Sequence, residues 1–203
     1  MRYPPDIAPF AAVRDDSIEA GAALRDLVPT ETQVILFAPT PAPAPDGLEA
    51  TVLGSMQQMI APDTLDRPRA DVHVSPLGAT DVPDMQRLTA LTRPGPFGPR
   101  TYRLGRYIGI RVSGELVAMA GERLCLPGHT EISAVCVHPE HRRHGYAQLL
   151  IAELVRDLRR DGITPFLHVI SENQSAIALY EQLHFRTRRR LYATALTPLR
   201  RVQ

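Results

Sequence analysis

The chain lacks several residue types that would otherwise point to a function. Its 203 residues include no lysine and no tryptophan, and cysteine occurs only twice. Without lysine, the protein cannot be modified on lysine side chains of its own. Two cysteines are too few for a small disulfide-stabilised scaffold. Cys125 and Cys136 lie in or next to apolar runs, and we predict that both are buried, reduced thiols.

The sequence also lacks an excess of one charge and lacks long apolar runs. The chain has 23 basic residues, all arginine, and 22 acidic residues, which gives a net charge of +1. Such a balance gives the whole molecule no attraction to nucleic acid or to an anionic membrane. No stretch approaches the roughly 18 apolar residues needed to span a bilayer, and the N-terminal sequence does not have the layout of a signal peptide. We therefore predict a cytoplasmic globular protein.

The hydrophobic patterning of the sequence differs between residues 1–70 and residues 71–203, and we predict a domain boundary between the two ranges. The first part predicts a small α/β subdomain or an extension of the main sheet, and it shows no candidate catalytic residues. Its helix would be capped by Asp15 or Asp16. The predicted elements are, in order, a helix over 14–28, a strand over 32–37, a proline-rich loop over 38–47 and a strand over 48–53.

From residue 71 onward, strand and helix patterns alternate regularly. The predicted elements are a strand over 71–77, a helix over 81–92, a loop rich in proline and glycine over 93–100, a hairpin of strands 107–112 and 116–120, a strand over 131–137, a helix over 146–160, a strand over 164–170, a helix over 173–184 and a strand over 185–196. A meander of strands followed by alternating strands and helices predicts a mixed α/β sheet.

One segment, residues 135–147, combines a strand, a basic loop containing glycine, and the start of an amphipathic helix. Backbone N–H groups at a helix N-terminus lack intrahelical partners and lie at the positive end of the helix dipole, so this geometry binds phosphate. Gly145 and Ala147 leave room for a ligand, while Arg142 and Arg143 add positive charge. A glycine in such a turn is weak evidence alone, because many turns contain glycine for steric reasons.

Together with a second segment, this loop resembles the two signatures of the GNAT acyltransferase superfamily. Residues 142–147, Arg-Arg-His-Gly-Tyr-Ala, match the acyl-CoA loop [RQ]-x-x-G-x-[GA]. Residues 173–185 match the second signature, in which an Asn is followed by a small residue, a Tyr and a Phe. The resemblance covers about residues 71–196. Residues 1–70 are loosely similar to the N-terminal extensions of the branch that includes glycine N-acyltransferase-like proteins.

The resemblance implies a GNAT-like fold, with a mixed, mostly antiparallel central sheet flanked by helices. It also implies direct transfer of an acetyl group from acetyl-CoA to a primary amine, in a ternary complex and without a metal. Arg143 and His184 stand where the family usually has glycine, which leaves the acyl-chain preference open. The residues implied to bind the acyl-CoA are Val135, Cys136, Val137, Arg142, Arg143, His144, Gly145, Tyr146, Ala147 and Asn173, the last of which could equally cap its helix.

The reaction needs a base and an acid. An alkylammonium with a pKa of about 10.4 is only about 0.04% neutral at pH 7, so a proton acceptor must assist the amine. Glu131 matches a position where several GNAT enzymes place that base, but a strand-end surface carboxylate is an equal alternative; Glu122 and His138 are further candidates. By the same resemblance, Tyr180 would protonate the leaving thiolate, and a backbone N–H near Cys136 would hold the oxyanion.

Two other patterns suggest different partners, and neither is favoured. His138, His141 and His144 are spaced like zinc ligands, but Pro139 prevents a shared helical face and no Cys or Asp supplies a fourth ligand. The arginines of residues 186–190 alternate along a strand, which is typical of a solvated face, and without interleaved aromatic residues they do not indicate nucleic-acid binding.

The acceptor is the least determined part of the prediction. The resemblance to GNAT proteins implies that residues 93–107 border the acceptor pocket, where Arg100 or Arg103 could pair a substrate carboxylate or remain solvated. An amino acid, a polyamine or drug-like amine, and a peptide or protein amine all remain open, as does a homodimer. A non-catalytic acyl-CoA-binding or sensing module is the alternative function, and Tyr180 with Glu131 favours the enzyme over it.

Overall fold

The computed structural model describes residues 1–15, 17–28, 32–68 and 72–199. The helices are α1 (Ile18–Leu27), α2 (Val82–Thr92), α3 (Tyr146–Arg160) and α4 (Gln174–Gln182). The strands are β1 (Val34–Ala38), β2 (Leu48–Ile60), β3 (Val74–Leu77), β4 (Tyr107–Val112), β5 (Glu115–Leu126), β6 (His129–Val137), β7 (Thr164–Ile170) and β8 (Arg186–Pro198). In this part of the chain, no helix is long and apolar enough to cross a bilayer.

All eight strands form one sheet in the order β1-β8-β2-β7-β6-β5-β4-β3. Neighbouring strands are antiparallel except β6 and β7, which run parallel. The predicted mixed, mostly antiparallel sheet flanked by helices is therefore confirmed. The predicted boundaries of α3 and β7 agree with the structure to the residue.

Strands β1 and β2, from residues 1–70, belong to this same sheet. Strand β2 pairs with β8 along its whole length, from Leu48 opposite Pro198 to Ile60 opposite Arg186, and also pairs with β7. It runs to Ile60, seven residues beyond the predicted end at position 53. The polar pair Gln57 and Gln58 interrupts the apolar pattern of this segment, which hides the extension from a prediction based on that pattern.

Helix α1 begins one turn later than the predicted range and has a different cap. Ser17 is the N-cap residue, and its hydroxyl accepts a hydrogen bond from the backbone N–H of Ala20 at 3.2 Å. Asp15 instead accepts hydrogen bonds from the backbone N–H and the hydroxyl of Ser17. The predicted capping role of Asp15 is therefore wrong, and Asp16 lies outside the described residues.

Helices α3 and α4 cover one face of the sheet, and α2 covers part of the other. The apolar side of α3 includes the fully buried Leu150 and Leu154, which pack with Ile132 of β6 and Tyr180 of α4. We call this side the α3 face. On the opposite side, the α2 face, Cys136 of β6 packs in the cluster that contains residues of α2.

The predicted burial of the two thiols is confirmed for Cys136 and wrong for Cys125, although both are free of disulfides. Burial raises the pKa of Cys136 to about 11, so its thiol stays protonated at neutral pH. Cys125 lies near the end of β5, where its exposed Sγ donates to the carbonyl of Leu104. Neither thiol is placed as a nucleophile.

Strands β6 and β7 pair over only three residues and then part. Their last paired residues are Glu131 and Phe166. Beyond this point, Ala134 of β6 has a left-handed φ of 53° and lies at a shift in the register with β5, which is a β-bulge. The gap that opens between the parted strands leads toward the loop before α3.

Candidate active site

A cleft of about 380 Å³ borders the end of β6 that has no β7 partner. Its walls come from the end of β6, the loop before α3, the first turns of α3 and α4, and the residues after α2. The lining residues are Thr92, Arg93, Pro94, Val135, Cys136, Val137, His141, Arg142, Arg143, Gly145, Tyr146, Ala147, Gln148, Asn173, Ser175, Ala176, Leu179 and Tyr180. Every residue predicted to bind acyl-CoA except His144 lines the cleft, as does Tyr180, whereas Glu131 does not.

The loop before α3 has the geometry of an anion site. Gly145 is the N-cap of α3 in a left-handed conformation, with φ 75°, and no side chain caps the helix. The first N–H groups of α3 therefore have no intrahelical acceptor. Within the described residues, Arg142 and Arg143 make no ion pair, and both line the cleft. Unpaired N–H groups and unpaired guanidinium groups together suit a pyrophosphate.

The rings of the three histidines in this loop lie near one another but do not form a chelating group. The ring centroids of His138 and His141 are 5.8 Å apart, and those of His141 and His144 are 6.4 Å apart. The Nδ1 atom of His138 accepts a hydrogen bond from the backbone N–H of Glu140, so His138 caps the short turn there. His144 stacks on Tyr146 and its Nδ1 lies 2.9 Å from the carbonyl oxygen of Arg142. In the described part of the chain, no group of three or more side chains is arranged to hold a metal ion.

Asn173 caps α4 and also lines the cleft. Its Oδ1 accepts hydrogen bonds from the backbone N–H of Ala176 at 3.2 Å and from the hydroxyl of Ser175 at 3.0 Å. Its amide nitrogen makes no hydrogen bond to another described residue. The capping alternative is thus present in the structure, and the amide N–H groups remain available to a ligand.

Tyr180 reaches the cleft from α4. Its ring packs against Phe185 with centroids 5.8 Å apart, and its hydroxyl makes no hydrogen bond to another described residue. Burial raises the pKa of Tyr180 to about 12. The hydroxyl therefore keeps its proton at neutral pH and can act as a donor in the cleft.

Glu131 is fully buried on the α2 face and bound by two other side chains. Arg123 donates to both of its oxygens, at 2.8 and 2.6 Å, and His168 Nδ1 lies 2.8 Å from Oε1. Burial raises the pKa of Glu131, but Arg123 outweighs that effect and lowers the pKa to about 2. A carboxylate so weakly basic and shielded from solvent is a poor direct base, and the surface alternative does not describe it either.

The other carboxylate considered as the base, Glu122, is engaged in a similar way. Its Oε1 accepts from Arg106 Nε at 2.6 Å, and Oε2 accepts from the backbone N–H of Arg106 at 3.1 Å. Glu122 is buried and does not line the cleft.

A second cavity, of about 430 Å³, lies beside α2, and Arg93 lines both this cavity and the cleft. The second cavity is lined by Gln86, Thr89, Ala90, Arg93, Gly95 and Phe97. Of the two arginines considered for the acceptor, Arg100 is paired with Asp6 at 2.8 Å and Arg103 is exposed; neither lines a described cavity. Arg93, which we did not single out from the sequence, is the arginine common to both cavities.

The two partners of Glu131, Arg123 and His168, were not singled out from the sequence. His168 lies in a strand that was predicted correctly, but Arg123 lies three residues beyond the predicted end of β5 at position 120, and no motif marks either residue. The signal that could have found them is the presence of a basic residue and a histidine within apolar strand sequences. A polar group buried there without a hydrogen-bond partner would destabilise the fold, so partners were to be expected.

A family model described as FR47-like protein matches residues 107–193. A GNAT-family protein from Novosphingobium aromaticivorans has a structure with a TM-score of 0.87 and 38% identity, over 97% of this chain and 87% of that one. A GCN5-related N-acetyltransferase from Kribbella flavida, 17% identical, shows the same fold, with a TM-score of 0.63 over 91% of this chain and 76% of that one.

A characterised enzyme is also similar. The ribosomal protein bS18-alanine N-acetyltransferase of Escherichia coli K12 is 29% identical over 130 residues, which cover 60% of this chain and 87% of the enzyme. The finer similarity to the glycine N-acyltransferase-like branch stays a prediction. The cleft at the parted strands and a relative 38% identical over nearly the whole length lead to one assignment: the chain belongs to the GNAT superfamily of acyl-CoA-dependent N-acetyltransferases.

Proposed function

We propose that this enzyme transfers the acetyl group of acetyl-CoA directly to the α-amine of a peptide or protein, in a ternary complex. The observation that carries the proposal is the cleft itself, which joins an anion-binding loop to the hydroxyl of Tyr180 through the gap between β6 and β7. A module that only bound acyl-CoA would not need a tyrosine hydroxyl without a protein partner at that place.

The pyrophosphate would bind at the N-terminus of α3. Its charge is matched by the uncapped N–H groups after Gly145 and by Arg142 and Arg143. The pantetheine arm would extend along residues 135–137, where β6 has no β7 partner and its backbone groups can pair with amides of the arm. The acetyl group would then lie in the gap, beside the bulge at Ala134.

Tyr180 would act on the leaving sulfur. A thiol has a pKa near 8.5, so complete proton transfer from a hydroxyl with a pKa of about 12 is unfavourable by itself. The hydroxyl stabilises the developing thiolate by donating a hydrogen bond, and transfer completes when the tyrosine regains a proton released by the attacking nitrogen.

The acceptor would reach the thioester along the second cavity. This cavity is open to solvent and shares Arg93 with the lining of the cleft, so an extended chain lying in it would have its terminal amine near the cleft. The acceptor class is supported by the relative from Escherichia coli, whose name states that it acetylates an alanine of a ribosomal protein. A homodimer and a cytoplasmic location remain predictions.

The test is a thiol-release assay with acetyl-CoA and a panel of acceptors, after calorimetric titration with acetyl-CoA alone. The panel holds peptides with a free α-amine, the same peptides blocked at the N-terminus, free amino acids and polyamines. We expect release with free peptides and none with blocked ones. Release only with amino acids or polyamines would overturn the peptide assignment, and binding without any release would favour the sensing module.

A further inference from the structure

The first half of strand β8 has a free edge on the side that faces away from β2. On this side, strand β1 pairs with residues 192–196 only. No other segment of the described chain supplies a backbone hydrogen bond there to residues 186–191. Alternate residues of this stretch therefore leave an N–H and a C=O group unpaired, over a length of about 20 Å. We call residues 186–191 the β8 edge.

The loop after β1 turns away from the β8 edge. Strand β1 ends at Ala38, and Pro39 and Pro41 follow it. Proline has no N–H group with which to continue a ladder of hydrogen bonds. The chain instead folds back toward the paired half of β8, where the N–H of Ala42 donates to the hydroxyl of Thr194 at 3.1 Å. Within the described residues, the β8 edge is thus left without a neighbouring strand.

The side chains of the β8 edge carry positive charge that is not compensated locally. Residues 186–190 are exposed, whereas Leu191 is buried. In the part of the chain that the structure describes, none of the arginines of this edge forms an ion pair with a carboxylate. The edge therefore concentrates positive charge in a molecule whose net charge is only +1. Its arginines are Arg186, Arg188, Arg189 and Arg190.

These arginines project to both faces of the sheet. Met59 packs in the cluster of the α3 face, so its neighbour Gln58 projects to the α2 face. Arg189 lies opposite Gln58, and Arg190 lies opposite Gln57. Since residues opposite each other in a ladder share a face, Arg189 is on the α2 face and Arg190 is on the α3 face. A strand docked on the edge would therefore meet a guanidinium group on either side.

The features of the edge discriminate between kinds of partner. A second copy of this chain would place arginine opposite arginine, which is repulsive. Nucleic acid would pair with the arginines but not with a row of alternating backbone donors and acceptors, and residues 186–191 include no aromatic side chain on which a base could stack. An extended polypeptide with carboxylates satisfies both the backbone groups and the guanidinium groups.

We propose that the β8 edge docks an extended acidic segment of a partner protein. The segment adds to the sheet beside β8, in line with β1, and its backbone pairs with the free N–H and C=O groups. Carboxylates on its successive residues pair with arginines on the two faces, because the fork of N–H donors on arginine matches a carboxylate. No residue of 186–191 lines the cleft or the second cavity, so the surface is separate from the site of acetyl transfer.

The test measures the binding of two fluorescent peptides to the full-length protein by anisotropy. Both peptides are about eight residues long and blocked at both ends; one alternates glutamate with threonine, and the other alternates glutamine with threonine. We expect the glutamate peptide to bind with a micromolar Kd and the glutamine peptide to bind at least about tenfold more weakly. Neither peptide has a free amine, so the result does not depend on acetyl transfer.

Hydrogen exchange separates strand addition from attraction between charges alone. Binding of the glutamate peptide should slow the exchange of backbone N–H groups in the β8 edge, because the added strand accepts hydrogen bonds from them. It should leave the exchange of α3 unchanged, since that helix lies elsewhere in the fold.

Two charge reversals test the arginines of each face. Arg189→Glu and Arg190→Glu remove side chains that make no hydrogen bond to another described residue, so both variants should fold. We expect each to weaken binding of the glutamate peptide by about tenfold. Arg103→Glu is the matched control, because Arg103 is exposed and lies outside the β8 edge. It should bind the peptide as the wild-type protein does.

Three results would overturn the proposal. Equal binding of the two peptides, or no binding of the glutamate peptide, would mean that the arginines only protect the edge against self-association. Unchanged exchange of the β8 edge in the complex would exclude strand addition. Single-stranded RNA of random sequence serves as a competitor, and tighter binding of this RNA with displacement of the peptide would assign the edge to nucleic acid instead.

Discussion

At the scale of single residues, Tyr180 is the side chain whose removal should separate chemistry from binding. Its hydroxyl has no hydrogen-bond partner among the described residues, so deleting it breaks no internal bond. We expect Tyr180→Phe to lower kcat by about one to three orders of magnitude with little change in acetyl-CoA Kd, as loss of a donor to the leaving group should. The measurements are steady-state kinetics and calorimetric titration.

Tyr192→Phe is the matched control, because Tyr192 lies on β8 and does not line the cleft. It should leave both kcat and Kd at the wild-type values. An unchanged kcat in Tyr180→Phe would mean that the side chain serves only to pack against Phe185.

Some site residues could be predicted from the sequence much better than others. The difference depends on how far apart in the sequence the interacting residues lie. The loop residues and Tyr180 belong to two short motifs, in which local spacing determines the geometry. The surroundings of Glu131 depend instead on Arg123, 8 residues away, and on His168, 37 residues away. Only the register of β5, β6 and β7 brings these three together, so a base at Glu131 could be suggested but its burial could not be foreseen.

At the scale of elements, helix α3 has a glycine near each end, and the two glycines have almost the same left-handed backbone conformation. Substitutions at the two positions can therefore be compared directly. Gly145 precedes the helix with φ 75°, and Gly162 follows it with φ 73°; a Cβ at either would meet no atom within 4 Å. Alanine at each position therefore incurs only the strain of the left-handed region, about 1–2 kcal/mol. Only Gly145 lines the cleft.

We expect Gly145→Ala and Gly162→Ala to lower the thermal midpoint by similar amounts, about 2–4 °C for each kcal/mol lost in a chain of this size. Gly145→Ala alone should weaken acetyl-CoA binding, by roughly tenfold, because relaxation of the turn moves the N–H groups that face the pyrophosphate. Calorimetry and thermal unfolding measure the two effects. Equal weakening in both variants would contradict a special role for the turn at Gly145.

The elements themselves were predicted well where one periodicity dominates. Helix α3 has a continuous apolar side and is followed by Asp161 and Gly162, and its bounds were predicted to the residue. The predicted strand β2 was too short because the register with β8 shifts near Gly54 and Gln58. At these irregularities the regular alternation of buried and exposed residues in a strand is lost. Bulges of this kind are set by the partner strands.

At the scale of the whole molecule, the division between residues 1–70 and 71–203 can be tested directly. Strand β2 supplies the hydrogen-bond partners of both β7 and β8, so a fragment comprising residues 72–203 would have two strands facing a missing neighbour. We expect this fragment to be unfolded or aggregated and unable to bind acetyl-CoA. Circular dichroism and calorimetry give the answer, and a folded fragment that binds would establish an independent domain.

Strand β8 lies between β1 and β2, although more than 120 residues separate the end of β2 from the start of β8. During synthesis, the edges of β1 and β2 that pair with β8 therefore stay unpaired until β8 has also left the ribosome. Pairings between such distant segments are slow to form, and exposed edges invite association with other nascent chains. Yield in the cell should accordingly depend on chaperones that shield the two early strands until β8 has been synthesised.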